Sequence, residues 1–598
     1  MALHLAFWQK WLVVCILIPV GLLGVTENCF ANEAGSRSVS SQLRQIIEPF
    51  SVEGSSASAL LEVEALQLPL HEQLVSFYRQ RDYHPAWFQG GTVAPVAWQW
   101  LERVQGVAAE GLNPRDYHVE TLAVSLEMAH IAQSYGVECD SVGLALIDIL
   151  LTDAFLKYVS HLLGGRVDIT RLYAAEWQAV VPKTDAVTVL HQVLLKQQVG
   201  AVLEELVPYR ASQLRLGVYL EHYRQLALAG GWPLLPVGPS VSLGKRDHRV
   251  PLLRHFLMLV GDLDKSRESS SWTLDRPAVE ALKRFQARHG LRADGVLGKD
   301  TLAQINVPVA RRIEQLRLNL ERERWPAQDT GPRYLQVDIT DFNLTVVDQG
   351  VEVMRMPVVV GTEFRRTPVF SALMKYLVFA PYWTVPPTIF QEDKWPHIKA
   401  DRNYLTAHHY EIVAWGKAPN RIIDPASLNW KTLTAQNFPG MLRQKPGPWN
   451  PLGKVKFMFP NAYHVYLHDT PSQHLFGEQQ RTFSSGCIRI ARPLELAVYL
   501  LEGQAGWDRE RIEKEMAGSK PYSVRLKRPV PVHILYRTAW VDAQGRLQFR
   551  NDIYQRDAKL QAVLQDQSMP EDQPTEMASQ GGVDIYDAES ESGVHVIR

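Results

Sequence analysis

The spacing of apolar residues changes near residue 330 from the period of a helix to that of a strand. In residues 311–325 (RRIEQLRLNLERERW), Ile313, Leu316 and Leu320 recur at intervals of three and four, which predicts a helix with one buried face. Residues 333–361 (RYLQVDITDFNLTVVDQGVEVMRMPVVVG) instead alternate apolar and polar side chains, and their DQG predicts a tight turn between two strands. We therefore predict a multidomain α+β protein with a mainly helical N-terminal part and a mainly β C-terminal part.

The length of the chain also requires more than one core. Its 598 residues correspond to roughly four domains at about 150 residues each. Periodic apolar segments predict helices at about 96–108, 143–163, 186–206 and 212–230, inside a helical domain at 70–265. The formal net charge of -1 provides no field that would attract a polyanion, so no nucleic-acid partner is expected.

The first 31 residues have the pattern of a secretory signal peptide. Lys10 precedes an apolar run of 15 residues, and the Cys-Phe-Ala that ends at Ala31 is an acceptable cleavage site. The run is shorter than the roughly 20 residues of a spanning helix, so membrane contact is expected only through an uncleaved segment. A flexible leader is predicted at 32–69. Cleavage would leave only Cys139 and Cys487, and a bridge between these two stays open.

Three further segments differ from their surroundings. Residues 276–305 predict two short helices around a glycine turn, as part of a small three-helix module at 266–308. Residues 388–450, inside a β domain at 309–557, have weak periodicity, and a long insertion of this kind is often a lid. Residues 558–598 are acidic and poor in apolar side chains, which predicts a disordered tail.

Two short segments hold the side chains best suited to chemistry. In NAYHVYLHDT, strand alternation places His464, Tyr466 and His468 on one face. In TFSSGCIRI, Gly486 permits a bend, and Arg489 follows Cys487 by two positions, so that its charge favours a thiolate. A cysteine with a histidine base is the minimal unit for nucleophilic acyl transfer.

Specific roles follow for this pair if their strands lie side by side. His468 would deprotonate Cys487 or hold it as an ion pair, and a backbone carbonyl can fix the imidazole tautomer. The Tyr466 hydroxyl and the backbone N–H groups around Gly486 and Cys487 would stabilise a tetrahedral oxyanion.

Three other interpretations compete with this one. Cys487 and His468 can be ordinary core residues. His464, His468 and Cys487 can bind zinc, although no fourth ligand with the usual spacing accompanies them. Asp469 and His468 can belong to a serine triad that uses Ser484 or Ser485.

The two segments resemble the signature of the L,D-transpeptidase catalytic domain. Its H-G-T and S-[HS]-G-C-[IV]-R elements read here as His468-Asp469-Thr470 and Ser484-Ser485-Gly486-Cys487-Ile488-Arg489. VVVGTEFRRTPVF (358–370) resembles the family's V-G-....-T-P-x-F element, and YWTVPPTIF, which contains Trp383, resembles a segment of its large periplasmic members. GLNPRDY and AGGWP resemble their scaffold domain.

The small module resembles a peptidoglycan-binding module of cell-wall enzymes. The match covers about 40 residues, most of them packing or turn positions. It runs through Val279, Leu282, Phe285, Gly290, Leu291, Asp294, Gly295, Gly298, Thr301 and Leu302.

The resemblance implies a set of roles and a reaction. Cys487 would be the nucleophile, His468 the base, Tyr466 and the Gly486 backbone the oxyanion donors, and Arg489 a support for thiolate or substrate. Asp469 would orient His468 through its carbonyl, and Ser484, Ser485 and Trp383 would contact substrate. The reaction is the cross-linking of third residues of peptidoglycan stem peptides in the periplasm, with release of D-alanine from a tetrapeptide donor, no metal or cofactor, and inhibition by carbapenems.

The resemblance leaves some choices open. Stem peptides and glycan are the implied partners, together with other cell-wall synthases. The same acyl-enzyme could serve hydrolysis, D-amino acid exchange or attachment of a lipoprotein. A protein that only binds peptidoglycan, with an inactive catalytic domain, is the alternative outside the enzymes.

Overall fold

The computed structural model describes residues 38–51, 60–63, 66–69, 72–137, 139–173, 176–178, 184–206, 210–325, 331–415 and 421–565. The predicted signal peptide and the acidic segment from 566 onward lie outside these residues. Within them, no helix combines the length and apolar character needed to cross a membrane.

The N-terminal part is a helical domain around one long buried helix, Ser141–Gly164. Asp140 caps the start of this helix, and its side chains pack on all sides. The elements in chain order are α1 (Val39–Ile47), β1 (Leu60–Val63), β2 (Leu66–Pro69), α2 (Glu72–Gln80), β3 (Phe88–Gln89), β4 (Thr92–Val93), α3 (Pro95–Gln105), α4 (Val119–Ser134), α5 (Ser141–Gly164), α6 (Ile169–Tyr173), α7 (Ala186–Lys196), α8 (Val199–Leu206) and α9 (Arg210–Leu228). The helices predicted from the apolar period are therefore present, and the segment 186–206 is divided into two of them.

Part of the predicted leader is ordered. Residues 39–47 form α1, which Ser38 caps, and Leu43 and Ile47 are fully buried in the core of the helical domain. The structure corrects the expectation of a flexible leader at these positions, because an amphipathic face of one or two apolar residues is enough to dock a short helix on an existing core.

The small module begins earlier than its sequence pattern. Helix α10 (Val250–Leu259) packs with α11 (Arg276–Arg288) and α12 (Lys299–Ile305) in one core that extends from Leu235 to Ile305. The Trp232 indole donates to the carbonyl of Val307, 3.2 Å away. The boundary predicted at residue 266 is therefore too late, since α10 supplies Leu253, Phe256 and Leu257 to this core.

Helix α13 (Val309–Arg322) connects the module to a β domain, as predicted. Strands in chain order are β5 (Arg333–Asp338), β6 (Asn343–Asp348), β7 (Val351–Gly361), β8 (Phe370–Phe379), β9 (Trp383–Thr384), β10 (Tyr410–Ala414), β11 (Ile422–Ile423), β12 (Gly440–Gln444), β13 (Val455–Met458), β14 (Leu467–His468), β15 (Thr482–Ser484), β16 (Ile488–Ile490), β17 (Tyr522–Leu535), β18 (Ala539–Val541) and β19 (Leu547–Phe549). The predicted DQG turn joins β6 to β7.

Nine strands form the main sheet in the order β15-β7-β16-β14-β13-β8-β17-β5-β6. Strand β6 pairs with β7 as well as with β5, so eight of these strands close into a barrel with β15 attached. Helices Pro493–Leu501 and Arg509–Met516 pack on its core. Closure of the barrel removes free sheet edges. The short strands β14 and β16 lie side by side in it and bring together the segments NAYHVYLHDT and TFSSGCIRI.

The helical domain contributes to the core of the β domain. Val167, Ile169, Leu172, Tyr173 and Trp177 all lie in the same apolar cluster as the barrel strands. Trp177 also forms a parallel bridge with Val369. The two domains are thus packed together rather than linked by a free connection.

The insertion at 388–450 is a folded subdomain. A four-stranded sheet in the order β11-β10-β12-β9 packs against helical turns at Phe390–Lys394, Trp395–Ala400 and Asn403–Ala407, around a core that includes Ile398, Ile412 and Leu442. Its strands are only two to five residues long, which explains its weak sequence periodicity.

The predicted disordered tail begins later than expected. Helix Arg556–Gln565 buries Arg556 and Leu560, so residues 558–565 are ordered.

Candidate active site

The site is built on two short parallel strands of the barrel. In the pairing of β14 with β16, Leu467 lies opposite Ile488 and His468 lies opposite Arg489. Leu467 and Ile488 are fully buried in the barrel core. Alternation along each strand therefore brings Tyr466, His468, Cys487 and Arg489 to the other face.

His464 departs from the predicted strand. Its backbone is left-handed, with φ of 53°, and its ring is exposed. Its carbonyl oxygen, and not its imidazole, faces the Cys487 thiol, at 3.9 Å from Sγ. The strand is shorter than the alternation suggested because Asn461 holds a local turn, accepting hydrogen bonds from the N–H groups of Tyr463 and Val465.

The His468 imidazole is buried and held by the backbone of the next residue. Its Nδ1 atom lies 2.5 Å from the carbonyl oxygen of Asp469. A carbonyl can only accept, so Nδ1 carries the proton and Nε2 keeps its lone pair. Burial, and secondly the charge of Arg489, lower the pKa of His468 to about 3.

The carboxylate of Asp469 faces away from the imidazole. It accepts a hydrogen bond from the backbone N–H of Lys454 at 2.8 Å and lies 3.4 Å from the Gln473 amide nitrogen. Burial raises the pKa of this carboxyl. The arrangement is not that of a serine triad, in which a carboxylate meets the histidine ring.

The Cys487 thiol is half-buried beside Tyr466. Burial raises the pKa of Cys487, and hydrogen bonds from the Tyr466 backbone and hydroxyl, then the charges of Lys456 and Arg489, lower it by less. Lys456 itself lies over the Tyr466 ring, 5.6 Å from its centroid. The predicted effect of Arg489 on the thiol is therefore present but is outweighed by burial, which favours the neutral thiol.

The turn before the cysteine depends on a glycine and a serine. Gly486 has φ of 110°, a region that L side chains rarely adopt. The Ser484 hydroxyl lies 2.5 Å from the carbonyl of Cys487 and accepts from the Gly486 N–H at 3.1 Å. This corrects the expectation that the Gly486 N–H serves as an oxyanion donor, because that N–H is directed at Ser484.

Ser484 and Ser485 have different surroundings. Ser484 is buried, and both hydrogen bonds of its hydroxyl are with the turn itself, so this hydroxyl is placed neither as a nucleophile nor as a surface group for substrate. The Ser485 side chain is exposed and accepts a hydrogen bond from Arg365 at 3.1 Å.

Trp383 lies in the insertion subdomain. Its ring packs near Tyr410, with 6.4 Å between ring centroids, and the Lys394 ammonium lies 5.7 Å above it. Because β9 pairs with β12, Trp383 belongs to the sheet of the insertion, and its contact with substrate stays a prediction.

The remaining alternatives can be compared with the same geometry. Within the described ranges, no group of three or more His, Cys, Asp or Glu side chains is placed to hold a metal ion. Neither Cys139 nor Cys487 forms a disulfide. Cys139 lies against the core of the helical domain, far along the chain from the barrel.

Sequence reasoning missed Arg365 and Thr367, which support the turn from behind. The Thr367 hydroxyl donates to the carbonyl of Gly486 at 2.9 Å and accepts from the N–H of Gly361. Both residues lie in the quoted segment VVVGTEFRRTPVF, but its pattern carries no signal of which neighbour each side chain meets.

Three family models match the chain. Residues 72–217 match a scaffold domain, residues 271–305 match a domain described as "Putative peptidoglycan binding domain", and residues 332–516 match an L,D-transpeptidase catalytic domain. These matches fall within the helical domain, the small module and the β domain with its insertion, and the last one ends before β17.

A curated protein of Haemophilus influenzae, described as "Putative L,D-transpeptidase", is 36% identical over 224 residues, which are 38% of this chain and 44% of that protein. The chain thus aligns with less than half of the length of this relative. Solved structures of L,D-transpeptidases from Mycobacterium smegmatis and Stackebrandtia nassauensis share 13% and 14% identity. They cover 34% and 50% of this chain, and 58% and 97% of their own chains, with TM-scores of 0.17 and 0.19.

Proposed function

We propose that this chain, whose residues 332–516 form an L,D-transpeptidase catalytic domain, cross-links the third residues of peptidoglycan stem peptides through an acyl-enzyme on Cys487. The observation that carries the proposal is the shared face of β14 and β16, where Cys487, Tyr466, His468 and Arg489 meet. The peptidoglycan-binding module supports peptidoglycan as the substrate.

The first half-reaction uses the lone pair on His468. Nε2 takes the thiol proton as Sγ attacks the carbonyl carbon between the third residue of a tetrapeptide stem and its terminal D-alanine. The tetrahedral intermediate collapses with cleavage of the C–N bond, and His468 gives the proton to the leaving amine. D-alanine departs, and a thioester on Cys487 remains.

The second half-reaction reverses these proton transfers. An amine on a neighbouring stem attacks the thioester, and Nε2 accepts a proton from that amine. Sγ leaves as the new amide forms, and the proton returns to the thiol. A neutral imidazole suits both halves, and the lowered pKa of His468 is consistent with a base that is neutral at pH 7.

The negative charge that develops on the carbonyl oxygen in the tetrahedral intermediate is stabilised by hydrogen-bond donors that are already in place. The Tyr466 hydroxyl, which contacts the thiol, and the backbone N–H of Cys487 are the donors we assign to the oxyanion. Arg489 lies opposite His468 and supplies a fixed positive charge near the same atoms.

The insertion at 388–450 would cover the thioester. Excluding water from an acyl-enzyme favours attack by an amine over hydrolysis. Deleting this subdomain is expected to raise the hydrolysed fraction of the product, and an unchanged fraction would contradict the assignment. With peptidoglycan as the substrate, we place the protein in the periplasm.

Mass spectrometry of the protein mixed with a disaccharide-tetrapeptide tests the proposal. Wild type is expected to form a cross-linked dimer with loss of D-alanine, and to carry an acyl adduct on Cys487. Cys487→Ala should lose both, while Cys139→Ala, which removes the thiol in the helical domain, should keep both. Unchanged substrate and an unmodified wild-type protein would favour a binding function instead, and a trimmed tripeptide without dimer would indicate hydrolysis.

A further inference from the structure

The loop that follows β7 is attached to the Cys487 turn at two points. The backbone N–H of Thr362 donates to the carbonyl of Ser484 at 3.0 Å. The Thr367 hydroxyl donates to the carbonyl of Gly486 at 2.9 Å. The loop is also braced from behind, since the Tyr554 hydroxyl donates to the carbonyl of Gly361 at 2.6 Å. Residues 361–367 and the Cys487 turn therefore form one rigid unit.

The side chain of Arg365 extends from this unit to the insertion. Its Nη1 and Nη2 atoms donate to the two carboxylate oxygens of Asp393 at 2.8 and 3.0 Å, and Nη2 also donates to Glu392 at 2.5 Å. Nη1 in addition donates to the Ser485 hydroxyl at 3.1 Å. One guanidinium thus contacts two carboxylates of the insertion and a hydroxyl two residues before Cys487.

The geometry distinguishes this contact from an ordinary surface ion pair. An exposed ion pair usually contributes little to stability, but an arginine that binds a carboxylate through two parallel hydrogen bonds has a better defined geometry. The hydrogen bonds that Arg365 donates to Asp393, and then the one to Glu392, raise the pKa of Arg365. The Arg365 side chain is 28% exposed, whereas Glu392 is 63% exposed, so the cationic partner is the one that the fold holds in place.

The two acids lie on an irregular turn of the insertion. Residues Phe390–Lys394 form a turn of π-helix between two short helical segments. Such turns are uncommon and often occur at functional sites, because they redirect side chains without ending the helix. Here the turn presents Glu392 and Asp393 side by side toward Arg365.

We propose that Arg365 is a positioning residue that fastens the insertion to the Cys487 turn, and that its pairing with Glu392 and Asp393 sets how far water and reagents reach the thiol. The expected effect on the ratio of hydrolysed to cross-linked product rests on the proposed function. The expected effect on the access of reagents to the Cys487 thiol does not, because it can be measured without any catalysed reaction.

The first test measures alkylation of Cys487 by iodoacetamide in the full chain, followed by peptide mapping that separates this thiol from Cys139. Arg365→Gln and the double variant Glu392→Gln/Asp393→Asn should each raise the alkylation rate of Cys487 by about threefold or more. Combining all three changes should add nothing further, because both variants break the same contact. Arg365→Lys should give an intermediate rate, since lysine keeps the positive charge but cannot donate two parallel hydrogen bonds to one carboxylate.

Arg355→Gln is the matched control. Arg355 also has two acidic partners, Asp341 and Glu352, and lies on β7, but its partners are outside the insertion. Its replacement should leave the alkylation rate of Cys487 within about twofold of wild type. Equal rates for Arg365→Gln and wild type would overturn the inference, and so would an equal increase in Arg355→Gln.

The second test measures products with the disaccharide-tetrapeptide. Arg365→Gln should raise the ratio of hydrolysed to cross-linked product by about threefold or more, with Arg355→Gln unchanged. If wild type forms no product at all, the proposed function fails while the alkylation result still decides the role of Arg365. If wild type forms dimer and the ratio is the same in Arg365→Gln, the positioning role is overturned and the proposed function stands.

Discussion

The Nδ1 atom of His468 lies 2.5 Å from the backbone carbonyl oxygen of Asp469, and the carboxylate of the same aspartate faces Lys454 instead. The orienting group for the imidazole is thus part of the main chain. Any residue at position 469 can supply it, which accounts for an aspartate where the signature has glycine.

Replacing Asp469 and replacing His468 should therefore have very different effects on the reaction. We expect Asp469→Asn to keep the rate of D-alanine release within about fivefold of wild type, because the carbonyl remains. His468→Gln should lower that rate by about 10² to 10⁴, the usual contribution of a general base. If the carboxylate were a triad member, Asp469→Asn would instead lose about 10⁴. Released D-alanine, assayed for both variants, separates these outcomes.

The pH dependence of alkylation of Cys487 should be that of a neutral thiol next to a neutral His468 imidazole. The pKa of His468 is lowered to about 3 and that of Cys487 is raised, so the imidazole is neutral and the thiol protonated at pH 7. Only the thiolate is alkylated, so the iodoacetamide rate for Cys487 should rise about tenfold per pH unit between about pH 6 and 8. It should continue to rise above pH 9. A plateau between about pH 4 and 7 would instead indicate a preformed thiolate and imidazolium pair.

The broad architecture could be predicted because it depends on local patterns. The change of apolar period near residue 330 separates helices from strands, and the DQG turn lies between β6 and β7 as predicted. Cys487 and His468 could be brought together from their signature. The period change and the turn need only neighbours in sequence, whereas the pairing of Cys487 with His468 rests on the family signature.

Features that depend on distant partners could not be predicted. Arg365 meets Asp393, Thr367 meets Gly486, and α10 joins the core of the small module, and each contact is made across a loop or between domains. Arg489 illustrates a further difficulty, which is that the burial of a side chain cannot be read from its sequence neighbours. Its charge was a sound reason to expect a thiolate, but burial of the thiol has the larger effect, and burial is a property of the whole fold.

The boundary of the small module gives a direct test of one such contact. A fragment of residues 231–308 contains α10 and should fold alone, with a helical circular dichroism spectrum and a cooperative thermal transition. A fragment of residues 266–308 lacks Leu253, Phe256 and Leu257, which share one core with Leu282 and Phe285. It should have neither property, because its remaining apolar surface is too small to offset the chain entropy. Cooperative folding of the shorter fragment would contradict this description.

The helical domain should stabilise the barrel through Trp177. This indole is 8% exposed, stacks on Tyr173 and meets Trp325 edge-on, with ring centroids 5.1 and 4.9 Å apart. Trp177→Ala should lower the free energy of unfolding by about 3 to 5 kcal/mol, the usual cost for a buried aromatic. Trp272→Ala is the control, since that side chain is 53% exposed and should cost about 0.5 kcal/mol or less. Denaturant unfolding followed by fluorescence compares the two, and equal losses would rule out a special role for Trp177.

Gly486 should be required for acylation and not merely for stability. An alanine there would hold φ near 110° at a cost of about 1 to 3 kcal/mol, and its Cβ would lie 3.5 Å from the carbonyl oxygen of Arg366. That contact distance is ordinary, so the backbone strain alone would drive the turn to shift, which would weaken the contact of Thr367 with the Gly486 carbonyl and move Cys487 away from Tyr466. We therefore expect Gly486→Ala to slow acylation of the protein by a carbapenem at least about 100-fold, measured by intact mass.

Gly545→Ala provides the comparison for that variant. Gly545 has φ of 77° in the turn between β18 and β19, with no atom within 4 Å of an added Cβ, so alanine there imposes similar backbone strain far from the thiol. Both variants should lower the melting temperature by a few degrees. Only Gly486→Ala should lose acylation, because only there does the strained residue fix the position of the nucleophile. A comparable loss in Gly545→Ala would mean that global stability limits the reaction, and normal acylation of Gly486→Ala would show that the turn tolerates a shifted cysteine.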